Sequence, residues 1–516
     1  MPRFKDALYD QTKLVAISYD KQIQPGTFEY ALSTIIDEMD LSVFDERYRN
    51  DEVGAPAYDP AILLKIILFA YSRGILGSRE IAQACLENVT FMALSADSHP
   101  HFTTIASFVS SLKVEIAVLF STVVTLCSSE GLIGKNMFAV DGCKISSNCS
   151  KEWSGTRKDF EKKRAKLEKL LARLLEKHRR RDELGLDDET VQKEKEAVGR
   201  LREKLKKIGE WVKDNDDKRG PSGNVKQSNL TDNESAKMPS SHGVIQGHNG
   251  IALVDSQRQV VVHAEAHGQG QESGLLIPFL DSAKQSLKKA GISENIFDGS
   301  TLLADAGNHS ERNLRQLDER KIDAYVADKN FRKRDPAFAT RDRHKKSVDR
   351  KHTPVLRKNK YFTPRNFKQD KKSGKLICPA GHELYVKHRN HYYRNTGVRG
   401  TMYTGWKTKC RGCKLRAKCI RGTRIEYRTV LITQQGVSAE HSYTKRMIEK
   451  FDTPMGRFNY SRRLGIVEPV FGHLRHAMGL DRFTLRGSTK VNTQWNLYCI
   501  VHNLKKLWRY SPRFAH

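Results

Sequence analysis

The sequence predicts an α/β protein, with a mixed-sheet core that follows an all-α N-terminal region and is interrupted by two polar insertions. Three observations carry that prediction. Up to about residue 130 the apolar residues recur at helical spacing. From KNMFAVDGCKIS onward, β-branched apolar runs alternate with amphipathic ones. The interruptions are strongly charged, one with helical spacing and one with clustered cysteines.

In chain order, PAILLKIILFAYSRGI, SREIAQACLENVTFMALS and FTTIASFVSSLKVEIAVLFSTVVTLC each read as a helix, broken by Gly74, Gly77 and Pro100. The short helices before FTTIASF fit a helix-turn-helix, and equally a bundle used for dimer contacts. KNMFAVDGCKIS is a strand that ends on Asp141. Phe160, Leu167, Leu171 and Leu174, then Val198, Leu201, Leu205 and Ile208, mark two helices either side of DELGLDDET. They form an antiparallel hairpin over about 157–213, whose basic outer face is either a DNA contact or simply solvated.

A polar stretch, DNDDKRGPSGNVKQSNLTDNESAKMPSS, leads into a β-hairpin made by NGIALVDS and QVVVHAEAHG, with Asp255 at its turn. PFLDSAKQSLKKAG is a helix, STLLADAG a buried strand, HSERNLRQLDER a helix and KIDAYVAD a strand. Without the helical hairpin the order is strand, two strands, helix, strand, helix, strand. That is the order of a ribonuclease-H-like core, three antiparallel strands followed by helix-linked parallel ones. Ligands of open sheets collect at strand carboxyl ends, where Asp141 and Asp305 fall. The chain closes with VNTQWNLYCIVHNLKKLWRY, an amphipathic helix expected to pack on the core. The expected units are a helical domain over 1–130, the first part of the core over 131–330, a basic Cys-rich insertion over 331–450, and the remainder of the core over 451–516.

Charge narrows the partner. The net charge of +30 is uneven. Residues 1–130 hold ten Lys/Arg against seventeen Asp/Glu, a net of −7, which leaves +37 for residues 131–516. The densest block, Phe331 to Leu376, has seventeen basic and four acidic residues. Such an excess attracts phosphate backbones with salt-sensitive affinity, although charge alone also suits ribosomal or membrane-surface proteins. No run approaches the roughly 20 apolar residues of a spanning helix, and the first residues lack a signal-peptide layout. The expectation is a cytoplasmic, nucleoid-associated protein with no membrane partner, its nine cysteines reduced or metal-bound.

Three acids carry the chemistry. Asp141 and Asp305 each end an apolar strand, and Glu468, in YSRRLGIVEPVFGHLRHAMG, opens an amphipathic helix with Pro469 in its first turn. Carboxylates facing one pocket form a hard-oxygen cage for divalent cations, and two such ions suit phosphoryl transfer. Phe471, Leu474 and Met478 trace the apolar stripe of that helix. Arg475, seven residues beyond Glu468, is expected on its face, where a cation can hold a phosphate. Tyr460, Arg462, Arg463 and His473 join it as candidate DNA contacts, the tyrosine by stacking on a base. Glu272, in HGQGQESG, is a fourth carboxylate near the site; it reads as a solvent-exposed loop acid in preference to one that tunes the metals.

Cysteine supplies a second constellation. Cys378 in ICPAGHEL, with Cys410, Cys413 and Cys419 in CRGCKLRAKC, offers four soft thiolates for a structural zinc ion, His382 or His388 being possible replacements. A small zinc-ribbon-like fold of this kind would present a Lys/Arg face to DNA. Cys85, Cys127, Cys143, Cys149 and Cys499 lack such grouping and read as core or incidental. His242, His248, His263 and His267 read as satisfied sheet or loop residues.

Together these segments resemble the bacterial insertion-sequence transposases that use an Asp-Asp-Glu triad. The likeness runs through the helical N-terminal region, AVDGCKI, LLADAGNHSERNL, VEPVFG, RFTLRG and the C-terminal helix, roughly residues 30 to 510. It implies Asp141, Asp305 and Glu468 as the acids that hold two Mg²⁺ or Mn²⁺ ions. It also implies hydrolysis of a phosphodiester at the element ends, then attack of the freed 3′-hydroxyl on target DNA. Double-stranded DNA, as terminal inverted repeats and target, is the implied partner, bound by a homodimer or larger assembly. A related signature places a Tyr, an Arg, the Glu and a Lys at set spacings. Tyr460, Arg463 and Glu468 follow it with one extra residue between Arg and Glu, and Arg475 replaces the Lys. Two other readings share the residues: a host nuclease that cuts without joining, and a non-catalytic DNA-binding regulator derived from a transposase.

Overall fold

The computed structural model describes residues 16–46, 48, 56–182, 188–220, 223–240, 243–270, 272–338, 361–370, 375–393, 398–420, 425–433 and 442–514. It is a mixed α/β protein with a helical N-terminal region. The helices there are α1 (Phe28–Glu38), α2 (Ser42–Asp45), α3 (Pro60–Ser72), α4 (Ser78–Glu87), α5 (Val89–Leu94), α6 (Phe102–Ser111) and α7 (Lys113–Ser129). Two of the three expected helices are therefore split. The second breaks at Asn88, whose side chain accepts from the backbone N–H groups of Thr90 and Phe91 and so caps a new helix inside an apolar run. The third breaks at Leu112, where the chain bends by 75°.

The central sheet begins with β1 (Met137–Ser146). β2 (Ser154–Gly155) and β3 (Ser228–Asn229) pair with each other and frame the hairpin of α8 (Arg157–Asp182) and α9 (Asp188–Asp214). That hairpin has its own small core, where Phe160 meets Trp211 edge-on at 4.5 Å beside Ile208. The sheet continues with β4 (Ala236–Ser240), β5 (Gly243–Asp255), β6 (Val261–His267), α10 (Leu276–Lys289), β7 (Thr301–Ala304), α11 (Glu311–Glu319) and β8 (Asp323–Val326). Its strands lie in the order β4-β5-β1-β7-β8, with β6 also paired to β5. β5 is antiparallel to β1, whereas β1, β7 and β8 run parallel. β4 falls in the stretch expected to be irregular. Ala-Lys-Met-Pro-Ser lacks apolar alternation, and its pairing along Gly243–Gly247 of β5 is what makes it a strand.

Beyond α12 (Phe331–Arg334), a second sheet forms from β9 (Lys368–Gln369), β10 (Leu376–Ile377), β11 (Glu383–Tyr393), β12 (Val398–Gly405) and β13 (Thr429–Thr433). Its order is β13-β12-β11-β10-β9, and α13 (Lys407–Arg411) and α14 (Arg416–Cys419) lie between the last two strands of the chain order. The middle of the basic block, 339–360, lies outside the described residues, as do His242 and residues 183–187 between the two hairpin helices.

The chain ends with α15 (Tyr443–Asp452), α16 (Pro454–Gly472), a π-helical turn over His473–Ala477 and α17 (Ser488–Tyr510). Glu311 anchors α15 by accepting from the backbone N–H groups of Tyr443, at 2.9 Å, and Thr444, at 3.0 Å. One continuous core joins α1 through α7, the central sheet, α16 and α17. α17 is more deeply enclosed than an amphipathic surface helix: Val491, Trp495, Tyr498, Val501 and Leu504 are all fully buried. It lies between β6 and the helices α3 and α7. Each large side chain buried there contributes about 1.5–3 kcal/mol. No single helix among the described residues is long and apolar enough to cross a membrane.

Candidate active site

The parallel register of β1 and β7 pairs Val140 with Ala304, so the next residue on each strand is an aspartate. Asp141, midway along β1 rather than at its end as expected, and Asp305, the first residue past β7, therefore stand side by side where the β1–β7 pairing stops. Asp305 opens the turn Ala306–Asn308, and Asn308 Nδ2 donates to its Oδ1 at 2.7 Å. Asp141 Oδ1 accepts from the backbone N–H of Gly142 at 2.9 Å. Its Oδ2 accepts from Arg463 Nη2 of α16 at 2.7 Å. Arg463 is only 8% exposed, and its Nε has no partner. Burial raises the Asp141 carboxyl above its usual range; the nearby Asp305 charge adds to this and Arg463 opposes it.

Side-chain alternation puts Asp141, Cys143 and Gly250 on one face of the sheet, covered by α16 and α17, and Gly142 and Asn249 on the other. An added Cβ at Gly142 would sit 2.8 Å from Asn249 Oδ1, so the fully buried asparagine uses the space that glycine leaves. Asn249 Nδ2 donates to Glu272 Oε1 at 3.2 Å. Glu272 is thus half-buried beside the aspartates, unlike the exposed loop residue expected. Burial, then the charges of Asp305 and Asp141, push its carboxyl up to about 7. The responsible contacts join residues far apart in sequence: Asn313 Nδ2 donates to Ser273 O at 2.8 Å and Asn308 O at 3.0 Å, tying the Glu272 turn to the Asp305 turn. Nothing in the local sequence signals this.

The other expected residues divide. Tyr460 packs edge-on between Phe331 and Phe451 and feels the charges of Asp141 and Asp305. Arg475 acts on the thiol of Cys143, which burial nonetheless pushes up to about 12. Glu468 does not join them. The buried face of α16 carries Arg463, Ile466, Val467, Val470 and Phe471. Glu468 lies about 140° round the helix from Arg463 and is exposed. The strongest charges on Asp141 and Glu272 come from other groups. Glu468 and Arg475 were expected on one face; the wide i→i+5 turn between them breaks that register. Arg462 is exposed. His473 turns inward, its Nδ1 2.9 Å from Nδ1 of the buried His502. Burial and the nearby Lys505, Lys506 and Arg509 charges hold His473 down at about 4.

As placed, no three His, Cys, Asp or Glu side chains among the described residues stand close enough to hold an ion together. The donor chemistry at the strand ends is that of a hard cation: carboxylates whose like charges oppose one another, with Arg463 as the countercharge. Elsewhere, Cys378, Cys410, Cys413 and Cys419 line one small cavity of about 30 Å³ with His382. Cys378 Sγ accepts from the His382 N–H at 3.3 Å, and Cys413 Sγ from the Leu415 N–H at 3.4 Å. Four sulfur donors suit a soft cation, while burial and the neighbouring thiols push the Cys419 thiol up in its absence. His248 pairs with Asp232 at 3.1 Å, its Nδ1 left without a partner, and His263 and His267 both face Glu265, at 3.1 and 3.0 Å, so carboxylates of the fold hold all three.

Two segments match known families. Residues 377–508, which include the cysteines, α16 and α17, match the model of a transposase DDE domain. Residues 17–111, the first helices, match a transposase domain (DUF772). No curated protein matches the chain. The two matches flank the sheet that carries Asp141 and Asp305, and together they support an insertion-sequence DDE transposase.

Proposed function

We propose that the chain cuts DNA at the ends of its element and joins the freed 3′ ends to target DNA, with Asp141 and Asp305 as metal-binding acids. The observation that carries this reading is the pair of aspartates level with each other where the parallel pairing of β1 and β7 ends, with one buried arginine between them and α16. The strand order, antiparallel then parallel with helical links, supports a ribonuclease-H-like core. Mg²⁺ or Mn²⁺ held at Asp141 and Asp305 supplies Lewis acidity to the attacking and leaving oxygens of the displacement. The chain's own residues orient the substrate. Arg463 and Arg475 bind phosphate oxygens, and Tyr460 stacks against a base beside the scissile bond. Arg463 must then exchange its carboxylate partner for a phosphate as DNA and metal enter together.

Glu468 is the third acid of this reading. It is the fifth residue after Arg463, and an i→i+5 turn between them would set both side chains on one face. α16 already ends in such a turn at His473–Ala477. Moving it upstream brings Glu468 round to the site. Cys378, Cys410, Cys413 and Cys419, which line one small cavity, would hold a structural zinc ion that would brace the second sheet and its basic surface. Double-stranded element ends and target DNA, bound by a dimer or larger assembly, complete the reading.

The test is a cleavage assay on the DNA flanking the gene, with wild type and Asp305→Asn in Mg²⁺ or Mn²⁺. Metal-dependent cuts at the element ends, lost in the variant, are expected. Cutting without any joining would leave a nuclease, and salt-sensitive binding with no cutting would leave a regulator.

A further inference from the structure

Glu272 is the group for which the triad has no use. Its position is built. Asn313 fastens its turn to the turn that begins at Asp305, through Ser273 and Asn308. Asn249, fully buried between Gly142 and this turn, donates to Glu272 Oε1 and leaves its own Oδ1 without a partner. Arg463 bonds Asp141 from the other face of the sheet. Two buried polar side chains, each with an unpartnered atom, thus flank the site, Asn249 bonded to Glu272 and Arg463 to Asp141.

We propose that Glu272 is a metal-binding residue of this site, a carboxylate that reaches the ions from the sheet face opposite α16. The proposal rests on Asp141 and Asp305 holding divalent metal. Glu272 has Asn249 as its hydrogen-bonded neighbour and Lys144 as a nearby cation, and the charges of both aspartates work against it. A half-buried carboxylate in that position is relieved by a divalent ion more than by any other ligand. It also explains how the site can bind metal while Glu468 is still turned away. Asp141, Asp305 and Glu272 take the first ion, and Glu468 arrives with α16.

The experiment is Mn²⁺ binding to the full chain by calorimetry, with thermal unfolding measured on the same samples without metal. Wild type, Glu272→Gln, Asp305→Asn and Glu468→Gln are compared. Manganese discriminates against the thiolate cavity, because it is a hard ion. Glu272→Gln is expected to weaken Mn²⁺ about tenfold or more, as Asp305→Asn does, while Glu468→Gln binds the first ion as wild type does. Without metal, Glu272→Gln is expected to unfold at the same temperature as wild type or higher, since it removes a charge repelled by two others. A purely structural glutamate would lower it. Wild-type affinity in Glu272→Gln with lost affinity in Asp305→Asn overturns the proposal and leaves the aspartate site standing. Wild-type affinity in both overturns the site as well.

Discussion

Arg463 shows how one residue ties helix to sheet. Its guanidinium is buried, donates to Asp141 and has an Nε with nothing to bond. Replacing it with Met leaves a mostly buried carboxylate without its cation, at a cost of about 1–3 kcal/mol. Denaturant unfolding should show that loss, and cleavage should fall even where the variant remains folded, because the phosphate contact is gone as well. A second residue-scale prediction concerns Gly142. Alanine there would crowd the Asn249 side chain, so Gly142→Ala should weaken Mn²⁺ binding through the displaced asparagine. An unchanged affinity would show that Asn249 does not set the site. At this scale the sequence was informative for the two aspartates, since each follows an apolar run, although β1 continues past Asp141 to Ser146. It placed Glu272 near the site but as an exposed loop acid, because its surroundings come from Asn249 and Asn313, residues with no local pattern to mark them.

Helices and strands were legible where a single periodicity governed them. β1, β5, β6, β7 and β8 follow from apolar runs, and α8 and α9 from the spacing of Phe160, Leu167, Val198 and Ile208. Failures came where one local bond interrupts the period. Asn88 caps a helix inside a run, and the π turn at His473–Ala477 changes which residues share a face of α16. The contact between that turn and α17 makes a pH prediction. Burial, then the charge of His473, hold His502 down at about 3. Below its ordinary value of about 6.5 the unfolded chain takes up a proton that folded His502 refuses. The stability it allows above pH 6.5 is therefore lost as pH falls, by about 1.4 kcal/mol per unit until about pH 3. Unfolding free energies at pH 7.5, 6.5 and 5.5 should fall in that order, and His502→Gln should flatten the dependence. In the second sheet, Cys413→Ser should release zinc and expose residues 376–433 to protease while the central sheet stays protected. Metal analysis and limited proteolysis on one sample would report both.

At the scale of the whole molecule, the surplus of +37 over residues 131–516 against −7 over 1–130 sets how the chain meets DNA. Binding should be steeply salt-dependent. A slope of log affinity on log salt of about −5 or steeper corresponds to about six phosphate contacts, whereas a slope near −1 would place the basic surface away from DNA. The N-terminal helices share one core with the sheet and α17, so their engagement of DNA or of a second subunit is mechanically joined to the aspartates. That continuity was not legible in a sequence whose N-terminal region differs so much in charge.

The most direct test of the central claim, phosphoryl transfer at Asp141 and Asp305, is joining of a pre-cut element end to target DNA in Mg²⁺. Ends bearing a 3′-hydroxyl or a 3′-deoxy terminus should be compared, with wild type and Asp305→Asn. The account predicts joining by wild type of the hydroxyl end alone, and none by the variant. Joining that survives Asp305→Asn would contradict it.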